Sequence, residues 1–323
     1  MHAMDEIQIS AVICTYNRSV YLKRTVASLI SQDLDKRKYE IIVVDNNSTD
    51  DTLRVVESYK NEADNLRYIH EPTQGLSVAR NRGALEAKGE YIAYIDDDAI
   101  AGSSWLSRLL FYFQNLDPAP YCIGGKVYLD WEGEPPVWFP SQFLSLYTYL
   151  DHGENVIQLN RSETCLYLQG ANMAFRRDIL MQGNKGFLTH IGRMGSSLLS
   201  GEETEMINRL LASDFPVYYA PDIPVNHLVL PERRTRRYLI KRLIADGFTQ
   251  SIMDMKDGRL AEQQMFGRAF YDVRCFMVSI CKAGAKLIIG KQKEAFLDVC
   301  TSARRWGRAR IEISMALGRK CAG

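Results

Sequence analysis

The chain has 323 residues, 46% of them hydrophobic and 24% charged, which excludes a disordered or low-complexity protein and leaves room for one large or two modest domains. Its net charge of +1 hides an asymmetry: 20 Lys+Arg stand against 30 Asp+Glu before Pro231, and 20 against 9 from Pro231 onward. An acidic body with a basic tail calls for an anionic partner for the tail, or for docking of tail on body.

Residues 7–15 form a near-continuous apolar run through Ile9, Ala11, Val12 and Ile13, the pattern of a buried strand. Residues 16–19 are a turn able to cap a helix, whose apolar positions recur at Leu22, Val26, Leu29 and Ile30. A second strand is expected at 40–44. The polar cluster 45–52 follows as loop and cap, then a helix through Leu53, Val56 and Tyr59. Residues 66–70 read as a third strand, 76–87 as a third helix and 90–95 as a fourth strand. This alternation predicts an α/β fold with a mostly parallel central sheet flanked by helices, Rossmann-like in its first 100 residues. Ligands of such sheets bind beyond the carboxyl ends of the strands, where Thr15, Asp45 and Asp96–Asp98 all fall.

The segment 91–98 ends a strand in three consecutive carboxylates. Such crowding costs Coulomb energy unless a cation or donors compensate it. Asp96 and Asp98 project to the same side if strand geometry continues, which suits a hard divalent ion that also takes phosphate oxygens. A solvated acidic turn is the alternative for an isolated Asp-Asp-Asp. No Gly-x-Gly-x-x-Gly follows the first strand and no Gly-Lys-Ser/Thr loop is present, so dinucleotide oxidoreductases and P-loop kinases lose their main support. The middle of the chain, 121–219, is irregular, with Trp131, Trp138 and a glycine-studded loop at 183–201. Helical spacing returns over 202–211, and from Thr235 onward the pattern is helical and basic. The seven cysteines, Cys14, Cys122, Cys165, Cys275, Cys281, Cys300 and Cys321, show no Cys-x-x-Cys pair. They predict buried thiols in a reducing compartment rather than a disulfide scaffold. The polar N-terminus predicts no signal peptide, and no apolar run is long enough for a transmembrane span.

Several motifs in order resemble the family 2 glycosyltransferases. They are residues 12–18 (VICTYNR), 40–50 (EIIVVDNNSTD), 75–83 (GLSVARNRG), Asp96-Asp97-Asp98, 170–175 (GANMAF) and 201–205 (GEETE). The resemblance covers roughly residues 7–230. It implies the GT-A fold with a nucleotide-binding half over about 7–100, an acceptor half over about 101–230 and a helical C-terminal extension over 231–323. It also implies a nucleotide-diphospho-sugar donor, a divalent metal (Mn²⁺ or Mg²⁺) and inversion at the anomeric carbon. UDP-sugar is the first donor reading and GDP-sugar the second, with a glycan or lipid-linked acceptor.

The resemblance implies that Asp45 contacts the nucleotide base, a role a carboxylate can fill towards a base N–H. A helix N-cap is the alternative there. Thr15 and Tyr16 resemble the base-flanking pair, with Tyr16 able to stack or simply to pack. Arg80 falls at a diphosphate-contacting arginine, as a guanidinium fork allows, with Arg82 as competitor. Asp96 resembles the ribose-side carboxylate, Asp98 the metal ligand and Asp97 a brace of the same loop. Glu203 matches the general base, where aspartate is the commoner residue, and Glu202 and Glu205 are its rivals. His227 follows where relatives place a metal-binding histidine, although a lone histidine also fits a structural role.

Of the tryptophans, Trp105 suits core packing and Trp138 an exposed place near an acceptor groove. The run Arg233, Arg234, Arg236, Arg237, Lys241 and Arg242, interleaved with Tyr238, Leu239, Leu243 and Ile244, reads as an amphipathic basic helix suited to an anionic membrane surface. The expected location is cytoplasmic, peripheral at the inner face of the membrane. No nucleic-acid module is recognised. Two other functions fit parts of the pattern. A nucleotidyltransferase would need a glycine-rich basic loop that 15–19 lacks, and a non-catalytic nucleotide-sugar or membrane-binding protein would bind donor without turnover.

Overall fold

The computed structural model describes residues 6–161, 167–181, 186–195 and 197–317. Cys165 and Cys321 lie outside them, as does the start of the expected glycine-studded loop. The chain divides into two compact units. The first comprises 1–130, 148–195 and 202–228, and the second 131–147, 196–201 and 229–323.

In the first unit, β1 (Ile9–Thr15), β2 (Tyr39–Asp45), β3 (Leu66–His70) and β4 (Tyr91–Asp96) alternate with α1 (Ser19–Ile30), α2 (Thr52–Ser58) and α3 (Leu76–Glu86). After β5 (Ala99–Ala101) come α4 (Trp105–Asn115), β6 (Cys122–Asp130), β7 (Ile157–Gln158), β8 (Asn172–Arg176), α5 (Arg177–Met181), α6 (Glu202–Ala212) and β9 (Val217–Leu228). The strands form one mixed sheet in the order β3-β2-β1-β4-β8-β6-β9-β5, with β7 pairing β9. β1 pairs in parallel with β2 and β4, and β2 with β3. β8 runs antiparallel to β4 and β6. All seven residues of β2 are buried, which explains its unbroken apolar run. Gly83 lets α3 approach this sheet closely, because a Cβ there would lie 2.5 Å from Val12 Cγ1.

The loops after β1 and β2 are latched to each other. Asn17, at φ 52°, accepts from the Thr49 amide at 2.7 Å and donates its own amide to Ser48 Oγ at 2.9 Å. The α1 amide of Ser19 donates to Asp50 Oδ2 at 2.9 Å. The cap of α1 therefore comes from the polar cluster after β2, not from the local turn the sequence suggests. Trp105 is core, as expected, and donates its indole N–H to Asn172 Oδ1 at 2.9 Å.

In the second unit, α7 (Arg236–Lys256), α8 (Glu262–Ile288) and α9 (Gln292–Ala316) pack with a 3₁₀ turn at Ser141–Tyr147. α7 and α9 cross through paired glycines. A Cβ at Gly307 would overlap the Ile244 carbonyl, and one at Gly247 the Arg304 carbonyl. Gly307→Ala is expected to destabilise the protein by about 1–3 kcal/mol, despite alanine's better helix propensity. Chemical denaturation measures this, and a stabilised variant would show that the crossing is loose.

Two expectations are refined. The basic run is divided: Arg236, Arg237 and Lys241 are exposed, whereas Arg233 and Arg242 are buried, and Arg242 donates to the carbonyls of Leu146 and Leu198. Arg234 reaches the Val229 carbonyl and Glu132. Buried guanidinium groups need acceptors, and free carbonyls supply them here. Trp138 is not open to an acceptor groove. It is partly buried, packs edge-on to Phe296 and lies under the Arg236 guanidinium. Among the described cysteines, Cys122 and Cys300 are buried, Cys14 and Cys275 partly so, and Cys281 is exposed. Among the described residues no helix is long and apolar enough to cross a membrane.

Candidate active site

The site lies at the carboxyl end of β4, where the chain places three consecutive acids, the first of them partly exposed. Asp97 and Asp98 are both buried. Their charges are met from β1 and its loop. Arg18 Nη1 donates to Asp97 Oδ1 at 2.9 Å and to Asp98 Oδ2 at 2.8 Å. Thr15 Oγ1 donates to Asp97 Oδ2 at 2.8 Å, and Thr25 Oγ1 to the Asp97 carbonyl at 2.9 Å. Asp97 thus braces the loop, and burial pushes its carboxyl up despite Arg18. Arg18 carried no predicted role. The adjacency of β1 and β4, which pairs Cys14 with Asp96, was the available signal.

Asp96, Asp98 and His227 come together. One oxygen or nitrogen atom of each lies within 4.8 Å of the others, the one such group of potential metal ligands among the described residues, and it takes in two of the three consecutive acids. His227 sits on β9 opposite Ala99 of β5, and the amide of Leu228 donates to the Asp98 carbonyl at 2.8 Å. This pairing brings His227 Nε2 to 3.0 Å from Asp98 Oδ1 and 3.6 Å from Asp96 Oδ2. Burial alone would lower the imidazole, but Asp98 and Asp96 outweigh it and raise it to about 9. The cluster therefore demands positive charge. Two carboxylates and one imidazole at a partly solvated edge also form the donor set of Mn²⁺ or Mg²⁺. The residues fit a divalent cation.

Arg80, on α3, is 3% exposed. Its Nη1 contacts Glu202 Oε1 at 2.8 Å, and its Nη2 lies 3.8 Å from Asp96 Oδ1. Gly170 makes room for it, since a Cβ there would lie 2.6 Å from Nη2. The described contacts of Arg80 are thus to protein carboxylates, which join β4 to the start of α6. A guanidinium this deep requires such counter-charges.

Glu202 and Glu203 open α6, where the helix dipole favours acids. Glu202 is buried and committed to Arg80. Glu203 is partly buried, and among the described residues its Oε2 has no hydrogen-bond partner. Burial, then the neighbouring Glu202 charge, raise its carboxyl to about 7. Glu205 pairs with Arg209 at 3.2 Å.

Asp45 is buried with both oxygens engaged: Oδ1 accepts from the Ser48 amide at 2.8 Å and Oδ2 from Tyr68 Oη at 2.7 Å. The helix N-cap alternative is not what Asp45 does, because α2 begins only at Thr52, after Asp51. Thr15 is buried and held by Asp97, while Tyr16 beside it is exposed.

A model of the family described as Glycosyl transferase family 2 matches residues 10–183. Glucosyl-dolichyl phosphate glucuronosyltransferase of Haloferax volcanii is 28% identical over 252 residues, covering 77% of this chain and 78% of that protein. Among solved structures, S. aureus TarS 1–349 in complex with UDP-GlcNAc has a TM-score of 0.56 at 16% identity, covering 97% of this chain and 93% of that one. The mannosyltransferase PcManGT of Pyrobaculum calidifontis, in complex with GDP-Man and Mn²⁺, has a TM-score of 0.57 at 16% identity, covering 98% and 77%. At these identities the structural likeness shows the fold, a GT-A mixed sheet with a helical C-terminal region. The family match spans more than half of the chain, and with it the protein belongs to glycosyl transferase family 2.

Proposed function

We propose that the protein transfers a sugar from a nucleotide-diphospho-sugar to a hydroxyl of a glycan or lipid-linked acceptor, with inversion. The observation that carries this reading is the convergence of Asp96, Asp98 and His227 beside the Arg80–Glu202 bridge that fixes the start of α6, where Glu203 stands. UDP-sugar is the first donor and GDP-sugar the second, in line with the ligands of TarS and PcManGT. A lipid-linked acceptor is supported by the dolichyl-phosphate relative.

Asp96, Asp98 and His227 would hold Mn²⁺ or Mg²⁺, which supplies charge neutralisation for a departing nucleoside diphosphate. Arg18 orients Asp98 and Asp97 through its paired contacts. Arg80 acts as a positioning residue, tying Asp96 to the first turn of α6. Tyr16 is free to stack on the base, with Asp45 and Thr15 shaping the loops that flank it. Glu203 accepts the acceptor proton as its oxygen attacks the anomeric carbon.

The raised carboxyl of Glu203 sets the pH dependence. Below about 7 it carries a proton and cannot act as base, and above that it is ionised. kcat/KM is therefore expected to rise with pH through an apparent pKa near 7. A flat profile across neutral pH would remove Glu203 from the step.

Asp98→Asn tests the metal. Titration calorimetry with Mn²⁺ and a UDP-sugar is expected to show donor binding weakened by about tenfold or more. Unaltered Mn²⁺-dependent affinity would refute the ligand assignment. A panel of nucleotide sugars in the same experiment identifies the donor.

A further inference from the structure

The C-terminal unit holds a surface that the proposed reaction does not use. The inner side of α8 packs on α9. At about 100° per residue, Phe266, Phe270, Met277, Cys281, Gly284 and Ile288 fall within an arc of about 60°, and all six are exposed. Phe270 is 75% and Ile288 88% exposed. Tyr271 and Val278 widen this stripe, and Leu287 and Ile289 carry it into the turn at Gly290. Scattered apolar residues are normal on a protein surface, but a continuous stripe along a whole helix marks a site of contact.

The charge around the stripe selects the partner. Between Phe266 and Ile289 the sequence has one acid, Asp272. It is buried and bridged to Arg308 at 2.8 Å. Arg274 and Lys282 are exposed along the borders, and Lys291 and Lys293 follow the turn. Glu294, the first acid beyond the turn, is bridged to Lys291 at 3.1 Å. An apolar face with cationic margins and no exposed acid is the composition of a helix lying in an anionic lipid interface. A second copy of the chain would bring the same cations to the stripe and no acid to meet them.

We infer that α8 lies flat in the interface of an anionic bilayer, with its aromatic and aliphatic stripe at the acyl boundary and Arg274 and Lys282 among the headgroups. The contact lies on the helix after the basic run at 233–242, in which Arg233 and Arg242 are buried while Arg236, Arg237 and Lys241 are exposed. Since α8 is not apolar enough to span, it lies on the membrane rather than crossing it. This inference does not depend on the sugar-transfer reading, because the contact needs neither donor nor metal.

Vesicle flotation of the full chain tests it, using phosphatidylcholine vesicles with and without phosphatidylglycerol. The wild type is expected to float with the anionic vesicles and to remain largely unbound with neutral ones. Phe270→Ser combined with Ile288→Ser is expected to lower anionic partitioning by about tenfold or more. Arg274→Glu with Lys282→Glu is expected to abolish the preference for anionic lipid. Both pairs sit on the exposed face, and equal melting temperatures verify that the fold persists. Failure of the wild type to float with anionic vesicles overturns the inference. Equal flotation with neutral vesicles does so too, because the cationic margins would then contribute nothing. Light scattering that shows a dimer dissolved by the Phe270→Ser, Ile288→Ser pair, without vesicle binding, would assign the face to self-association instead.

Discussion

Glu203→Gln is expected to lower kcat by about 10²–10⁴ and to leave donor affinity unchanged. The amide keeps the shape of the side chain but cannot take a proton. Among the described residues Glu203 Oε2 has no hydrogen-bond partner, so the substitution breaks no described contact of that atom. The position of Glu203 at the start of α6 depends on Glu202, whose bridge to Arg80 the variant preserves. The check is a turnover assay at saturating donor beside calorimetry of donor binding. A kcat like that of the wild type excludes Glu203 as base. Glu202→Gln provides the contrast, because it weakens a buried ion pair and should lower stability as well as turnover.

Arg80→Met is expected to cost about 3–5 kcal/mol of stability. The guanidinium is almost fully buried and touches two carboxylates. Burial works against its charge, and Glu202, then Asp96, hold it ionised. Removing it strands Glu202, itself buried, with no other counter-ion among its described contacts. Adding Glu202→Met should return much of the loss, because a matched apolar pair leaves no buried charge. Urea denaturation of the two variants measures both effects. A single variant as stable as the wild type would mean that water reaches the bridge and that α6 is not anchored through it.

The first hundred residues were legible because their signals are local. β1 to β4 each show an apolar run ended by polar residues, and the carboxyl ends of parallel strands collect ligands. The strand at Leu66–His70 has the same bounds in sequence and structure. The triplet of acids at the end of β4 advertised a demand for positive charge. What answers that demand was not legible. Arg18 falls in a turn and Arg80 on a helical stretch, and only the sheet order brings them to Asp96, Asp97 and Asp98. The short strand β5 was missed because three residues carry no periodicity. The basic run was legible only in part. Arg236, Arg237 and Lys241 are exposed as its charge pattern suggests, but Arg242 reaches back to the carbonyls of Leu146 and Leu198, which no sequence window contains.

The pairing of β9 with β5 has a consequence for how such chains are recombined. His227 reaches the acids only because its strand enters the sheet in register with Ala99, so the first hundred residues do not contain all three groups of the candidate cation site. Hybrids that splice a foreign segment after Asp98 keep the two candidate oxygen ligands and must be given the imidazole anew. The natural crossover point for swapping specificity therefore lies beyond Leu228, or else strictly inside the segments between the paired strands.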